Sequence, residues 1–461
     1  MQQLSAIDTL FVSGESENMP MHIGALSIYQ SQTRQYFSRV TTVFEQRLGH
    51  SPIFRRKLVE PPFKLDNPYW MDDPDFVLGQ HLHRVTLEAG LGEEGLNEVV
   101  ADLHARGLDM GKPLWEAWVI DGMDKNGWPK GTYGVYVKVH HAAIDGVSGA
   151  EIIAALNDIE PRKVRRRKSK AHPVETGMSP LNMALQAARH NLGRPLRLAN
   201  ALRKMRNIPP PATEFNETPM HWTKASINQA VGSQRKIITV PLPFTDIRKI
   251  RRLIPSCTVN HVVLSIIGGA LRKYLSQRGE LPEFSLGAAV PINLRSSEDS
   301  TGGNIIGALL SSLGSTESDP VERLKLVRDS ASGARKRSEA ISRDVVGELT
   351  SGISRQASAA AVSLFQRVSR RPGGMPLPVH TIVSNIPGPP IPLYLGGDRL
   401  VDLRVYGLVF EPIGLFHTMI SYDDSISLSV LACRNSLQEP ERYRACLQDA
   451  FDAYMPYIDK R

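Results

Sequence analysis

Residues Thr132 to Gly149 read TYGVYVKVHHAAIDGVSG, and the fold is decided by this stretch. Thr132 to Val139 is rich in β-branched and aromatic residues, the composition of a strand. Two histidines, His140 and His141, close it. Gly146 permits a tight turn, and Gly146 to Asp158 returns to helical spacing, with Val147, Ala150, Ile153, Ala154 and Leu156 as core positions. Side chains alternate across a strand, so the two histidines point to opposite faces. That argues against a metal site made of both rings and Asp145. It favours one ring in the interior and the other facing a cleft. Asp145 falls near the N-terminus of the following helix, where a carboxylate is favourable. On residue types alone, an ordinary strand–turn–helix with a satisfied core histidine and a capping aspartate accounts for the stretch equally well.

The same alternation extends in both directions. Toward the N-terminus, Met21–Tyr29 (MHIGALSIY) reads as a strand, and Thr33 can cap a helix with Phe37, Val40, Phe44 and Leu48 on one face. Leu96, Val99, Val100 and Leu103 mark a second helix, and Leu114–Asp121 (LWEAWVID) a second strand. Toward the C-terminus, Lys236–Leu242 is a strand, followed by helices over Phe244–Ile254 and Thr258–Gln277 and a strand over Ser285–Ile292. Helices over Val321–Ala340 and before Arg370 follow, then four short strands between His380 and Cys433 and a C-terminal helix. No fixed-period repeat is visible. The pattern predicts a mixed α/β fold with two domains, 1–160 and 221–461, joined by a linker over 161–220.

The chain has 461 residues, 41% hydrophobic and 22% charged, enough to build cores and unlike a disordered protein. Its longest apolar stretch, Val262–Leu271, is interrupted by Ser265, Gly268 and Gly269 and falls short of the ~20 residues of a bilayer span. The first basic residue is Arg34, so no secretory leader is expected. Cys257, Cys433 and Cys446 are too few and too scattered for a disulfide framework or zinc cluster, and no metal is expected. These features predict a cytoplasmic protein, soluble or peripheral.

The net charge of +8 is concentrated in one place. Between Pro161 and Ala212 stand 13 Lys and Arg against one acid, Glu175, and no Phe, Trp or Tyr. Arg162–Lys170 (RKVRRRKSK) carries seven positive charges in nine residues. Ser179-Pro180 then starts a helix whose Leu181, Leu185, Ala188 and Leu192 form an apolar stripe. Leu198, Leu202 and Met205 continue the stripe beyond a break at Pro195. A solvated linker and a docking device for an anionic lipid surface both fit. Nucleic-acid binding is disfavoured, since no aromatic is present for stacking.

HHAAIDG at His140–Gly146 resembles the HHxxxDG active-site motif of the bacterial wax ester synthase/acyl-CoA:diacylglycerol acyltransferase family. That family is similar to chloramphenicol acetyltransferase and to peptide-synthetase condensation domains. MHIGALSIY resembles its Met-His-x-Gly strand, and PLWEAWVIDG at Pro113–Gly122 its PLW motif. VNHVVLSIIGGALRKYL at Val259–Leu275 resembles its Asn-Asp-Val-Val-Leu-Ala helix. AAVPINLR at Ala288–Arg295 and SNIPGP at Ser384–Pro389 match two C-terminal motifs. Two departures stand out: His261 occupies the usual Asp position after Asn260, and His417 lies about where an Asn is usual.

The resemblance implies two chloramphenicol-acetyltransferase-like domains with an active-site channel between them. It implies a long-chain acyl-CoA-dependent O-acyltransferase making wax esters from fatty alcohols, triacylglycerol from diacylglycerol, or both. Acyl-CoA is then a substrate and no cofactor is needed. His141 is implied as the general base and His140 as a structural residue. Asp145 would turn away to pair with a distant arginine, for which Arg295 is the candidate; a solvated Arg295 after a strand is the plainer account. Asn260 is either a polar donor near the reacting centre or the N-cap of its helix. Trp115, Asn385 and Pro387 are candidate channel residues. Trp115 and Trp118, three apart on a strand, face opposite sides, so core packing accounts for at least one of them. SNIPGP is expected to be a structural turn. Transfer to another secondary alcohol and a non-catalytic lipid-binding relative are the rival readings. A peripheral place on the inner membrane face or on lipid inclusions follows from the lipid acceptors, and a homodimer is compatible with all of this.

Overall fold

The computed structural model describes residues 2–49, 51–144, 153, 155–162, 177–206, 220–293, 306–340, 349–370 and 375–459. Its strands are β1 (Gln2–Gln3), β2 (His22–Gln30), β3 (Arg56–Val59), β4 (Tyr69–Asp72), β5 (Leu82–Thr86), β6 (Trp115–Asp121), β7 (Thr132–His140), β8 (Arg235–Pro243), β9 (Gly287–Asn293), β10 (Ile306–Ser312), β11 (Thr381–Ile386), β12 (Tyr394–Leu395), β13 (Asp398–Tyr406), β14 (Leu415–Tyr422) and β15 (Ser425–Cys433). The α-helices are α1 (Ala6–Gly14), α2 (Tyr36–Arg47), α3 (Gly92–Ala105), α4 (Pro180–Arg206), α5 (Phe244–Arg251), α6 (Val259–Gln277), α7 (Pro320–Ala340), α8 (Arg355–Ser369), α9 (Pro440–Asp452) and α10 (Met455–Ile458).

Two six-stranded sheets organise the molecule, in the orders β12-β13-β2-β7-β6-β5 and β10-β9-β11-β14-β15-β8, with a small β1-β4-β3 sheet beside them. The mixed α/β class expected from the alternation is what forms. β2 and β7 pair antiparallel from His22↔His140 to Gln30↔Thr132, and β5 runs parallel to β6. In the second sheet β11 runs parallel to both β9 and β14.

The expected boundary at 221 does not separate two self-contained sheets. β12 and β13 leave the C-terminal half, and β13 pairs along β2 from Arg399↔Gln30 to Tyr406↔Gly24. Asp398 is held there by Arg39 and by the Tyr133 hydroxyl at 3.0 Å, while Arg404 pairs with Glu93 and Asp402. A period-two pattern identifies a strand but not the sheet it joins, which is why the exchange was invisible in the sequence.

β7 is buried along its whole length. Val135, Val137 and Val139 face a core shared with Trp115, Phe44 and Phe54, whereas Tyr136 faces another with Leu26, Val100 and Trp118. The two tryptophans of β6 therefore serve different cores, as strand alternation requires. Smaller differences are local. Gln35 rather than Thr33 precedes α2, and the short strands β1, β3, β4 and β5, together with β10, went unread. α4 runs unbroken through Pro195, although a proline there forgoes one hydrogen bond and crowds the carbonyl of Asn191. No helix among the described residues is long and apolar enough to cross a membrane.

Candidate active site

β7 ends where the chain is gripped from two sides. The His140 N–H donates to the Leu114 carbonyl at 2.9 Å and the His141 N–H to the Met21 carbonyl at 2.7 Å. The backbone then enters a single 3-10 turn, His141–Ala143. The His140 ring is fully buried, and its Nδ1 accepts from the Ala142 N–H at 3.1 Å. Because Nδ1 accepts, the neutral ring carries its hydrogen on Nε2, which lies 3.3 Å from Glu15 Oε2. The His141 ring stacks on Phe11 with centroids 4.0 Å apart and planes at 18°. Among the described residues its Nδ1 has no partner of hydrogen-bonding geometry. Burial is the main force holding the His141 pKa down to about 4; the neighbouring His140 lowers it further and its own backbone carbonyl raises it. At neutral pH His141 is therefore uncharged, the state a proton acceptor needs.

Behind the pair lies a polar core on the same face of β7. Lys138 is fully buried; its ammonium donates to the Leu103 and Arg106 carbonyls at 3.1 and 2.7 Å and meets Glu116 Oε2 at 3.2 Å. It thereby satisfies carbonyls at the C-terminal end of α3, where a cation is favourable. His104 on α3 accepts from the Tyr136 hydroxyl at 2.6 Å and donates to the Gly407 carbonyl at 2.9 Å. His22 donates to the His104 carbonyl at 2.8 Å. The glycine of the Met-His-x-Gly strand has its reason here. A Cβ on Gly24 would lie 2.4 Å from the Tyr136 hydroxyl oxygen, so any side chain would drive Tyr136 from His104.

The other residues singled out in the sequence fall in several places. Asp145, Gly146 and Arg295 lie outside the described residues, as does most of the basic run after Arg162. Asn260 is not the cap of α6. Thr258 is, accepting from the His261 N–H at 3.3 Å while His261 Nδ1 accepts from the Thr258 N–H at 3.2 Å. His261 thus fills the reciprocal half of a capping box, usually given to Glu or Gln. Burial, the largest influence, lowers its pKa to about 4 and keeps that lone pair free. Asn260, one residue earlier, is partly buried, and its Oδ1 has no partner among the described residues.

His417 is a core residue. The Tyr443 hydroxyl donates to Nε2 at 2.8 Å, Nδ1 donates to Thr381 Oγ1 at 2.8 Å, and Thr381 donates onward to the Leu415 carbonyl at 3.0 Å. Trp115 is fully buried, its indole N–H donating to the Phe54 carbonyl at 3.1 Å and its ring stacked on Phe44 and His81. Asn385 and Pro387 are exposed at the end of β11. Beside them a Cβ on Gly388 would come 1.7 Å from the Ser421 carbonyl oxygen, so SNIPGP is a turn pressed against β14. Phe11, Glu15 and Lys138 went unnoticed in the sequence. Only Lys138, a lone charge inside an apolar strand, left a signal there.

α4 lies across the N-terminal half. His190 and Arg194 reach buried Asp66 at 2.7 and 2.9 Å, and Met183, Ala187 and Ala201 turn inward. Leu181, Leu185, Leu192 and Leu196 turn outward, the first and third being 69% and 83% exposed.

Residues 4–263 match the family model described as the wax ester synthase/diacylglycerol acyltransferase catalytic domain, and residues 302–454 match the corresponding C-terminal domain. A putative diacylglycerol O-acyltransferase of Mycobacterium tuberculosis is 30% identical, over 96% of this chain and 97% of its own length. Among solved structures, a wax ester synthase/diacylglycerol acyltransferase from Marinobacter aquaeolei superposes with a TM-score of 0.72 at 21% identity, covering 100% of both chains. A trichothecene 15-O-acetyltransferase from Fusarium sporotrichioides gives 0.63 at 10% identity, covering 98% of this chain and 94% of its own. At such identities these two likenesses concern the fold.

Proposed function

This chain belongs to the wax ester synthase/diacylglycerol acyltransferase family and is an acyltransferase, and from that premise we propose the reaction and its base. The acyl group of a long-chain acyl-CoA passes to the hydroxyl of a fatty alcohol or a diacylglycerol. His141, uncharged and fixed between Phe11 and the Met21 carbonyl, takes the hydroxyl proton as the oxygen attacks the thioester carbon. The tetrahedral adduct collapses with loss of the C–S bond, and the coenzyme A thiolate recovers the proton from the imidazolium. A thioester is already activated, so neither a covalent enzyme intermediate nor a cofactor is required. The Asn260 side-chain amide, through its Nδ2–H, is the candidate donor to the developing oxyanion. Because both acceptors are lipids, the enzyme works at the cytoplasmic face of a membrane or on lipid inclusions.

The observation that carries this reading is the neutral histidine held at the end of β7 in a chain that matches the family along nearly its whole length. Its test is incubation of purified protein with palmitoyl-CoA and either hexadecanol or dipalmitoylglycerol, with products resolved by thin-layer chromatography. Ester from at least one acceptor is expected. Folded protein that yields ester from neither, but does acylate a different secondary alcohol, would shift the acceptor class. No ester at all would leave a lipid-binding relative without activity.

A further inference from the structure

One short segment meets both histidines of the pair. Glu15 terminates α1, and its Oε2 accepts from the Met21 N–H at 2.5 Å while lying 3.3 Å from His140 Nε2. The Met21 carbonyl, on the same peptide segment, accepts from the His141 N–H at 2.7 Å. One turn earlier on α1, Phe11 stacks on the His141 ring. The contacts close a bracket from Glu15 through Met21 to His141, and back through His140 to Glu15.

The chemistry of that bracket is asymmetric. Among the described residues, the Glu15 carboxylate, its side chain only 14% exposed, is met by two N–H groups, the Met21 amide and the His140 ring. The Ala142 N–H already occupies His140 Nδ1, so only the Nε2–H tautomer suits both ends of the imidazole. At 3.3 Å the Nε2 contact is within ion-pair range but outside good hydrogen-bond geometry, as active-site hydrogen bonds often are before substrate binds. We propose that Glu15 is a positioning residue for the histidine pair. It holds His140 as the Nε2–H tautomer, which fixes the turn at Ala142 and so aims His141; this rests on His141 being the base.

The experiment compares Glu15→Ala, Glu15→Gln and His141→Ala with the parent, measuring kcat, KM, melting temperature and 15N spectra of histidine-labelled protein. Glutamine nearly reproduces the shape and keeps one acceptor oxygen for both N–H groups; alanine keeps none. Glu15→Ala is expected to lose about 10²-fold in kcat, the scale of a slightly misaimed base, at unchanged KM. Its spectra should lose the single His140 tautomer, and Glu15→Gln should restore both kcat and tautomer. If alanine prevents folding, Glu15→Asp, which keeps the charge but shortens the reach, should show the same kcat loss and tautomer mixing. Parental kcat per folded molecule in Glu15→Ala or Glu15→Asp overturns the proposal, as does a glutamine variant as poor as alanine. Retained turnover in His141→Ala would instead overturn the assignment of the base, so the two failures are distinguishable.

Discussion

At the scale of the residue, the decisive feature is that desolvation is the largest influence keeping His141 neutral. With burial as the largest cause, its pKa of about 4 lies below the ordinary value of 6.5. The acid limb of kcat/KM should then appear near pH 4 to 5, with activity flat from there to pH 8; a limb at 6.5 would show a solvated, ordinary imidazole. His141→Ala should cost about 10² to 10⁴ in turnover, the contribution of a general base, in protein that still folds. His140→Ala should instead lower the melting temperature, since its ring is fully buried and caps the turn at Ala142. The pair itself was legible, because two histidines closing a period-two strand announce a change of backbone direction. Their partners were not. Phe11 and Glu15 arrive from α1, and nothing in its spacing tells which strand end its last turn will cover. The two departures from the family pattern were equally opaque until the hydrogen bonds were seen: His261 completes the capping box that Thr258 opens on α6, and His417 completes a buried chain between Tyr443 and Thr381.

At the scale of the element, α4 has its apolar side reversed. A helix docked on a protein normally buries its leucines, each worth about 1.5–3 kcal/mol when taken from water. α4 instead turns Met183, Ala187 and Arg194 inward, because buried Asp66 recruits Arg194 and His190, and leaves Leu181, Leu185, Leu192 and Leu196 outside. Exposed Arg189, Arg203 and Arg206 share the outer surface, which suits an anionic bilayer. Leu185→Ser/Leu192→Ser/Leu196→Ser should therefore lower cosedimentation with anionic vesicles and slow acylation of bilayer-embedded diacylglycerol. Turnover of a short soluble alcohol should be unaffected; equal vesicle binding by variant and parent would reduce the stripe to an unpartnered surface. Breaking the anchor by Asp66→Ala, which leaves Arg194 buried without its carboxylate, should destabilise the protein by about 3–5 kcal/mol in denaturant titrations. The helix and its start at Ser179-Pro180 were readable from periodicity and capping. Which way the stripe faced was not, since a hydrophobic period names a face but not its partner.

At the scale of the whole molecule, strand–helix alternation pointed to two mixed α/β domains, but not that β13 completes the first sheet from the far half of the chain. That crossing makes the halves mutually dependent, and both halves bury polar side chains. Histidines are prominent among them. Burial, the largest cause in each case, lowers His104 and His417 to about 3 and His261 and His380 to about 4, alongside His141. His22 is lowered well below its ordinary value for the same reason. In the unfolded chain each would titrate near 6.5. Below that pH the unfolded state binds protons the native state refuses, so stability rises with pH through this window. Their contribution is complete above pH 6.5 and is lost as pH falls from 6.5 toward about 4, by as much as ~1.4 kcal/mol per pH unit for each group. The melting temperature should accordingly be level above pH 7 and fall steeply between 6.5 and 5. Calorimetry at pH 5.5 in buffers of different ionisation enthalpy should register uptake of several protons on unfolding. His417→Asn, which substitutes an amide that cannot titrate, should reduce that uptake by one. A melting temperature that stays level down to pH 5, or an uptake unchanged in His417→Asn, would mean that these rings are already charged in the folded protein.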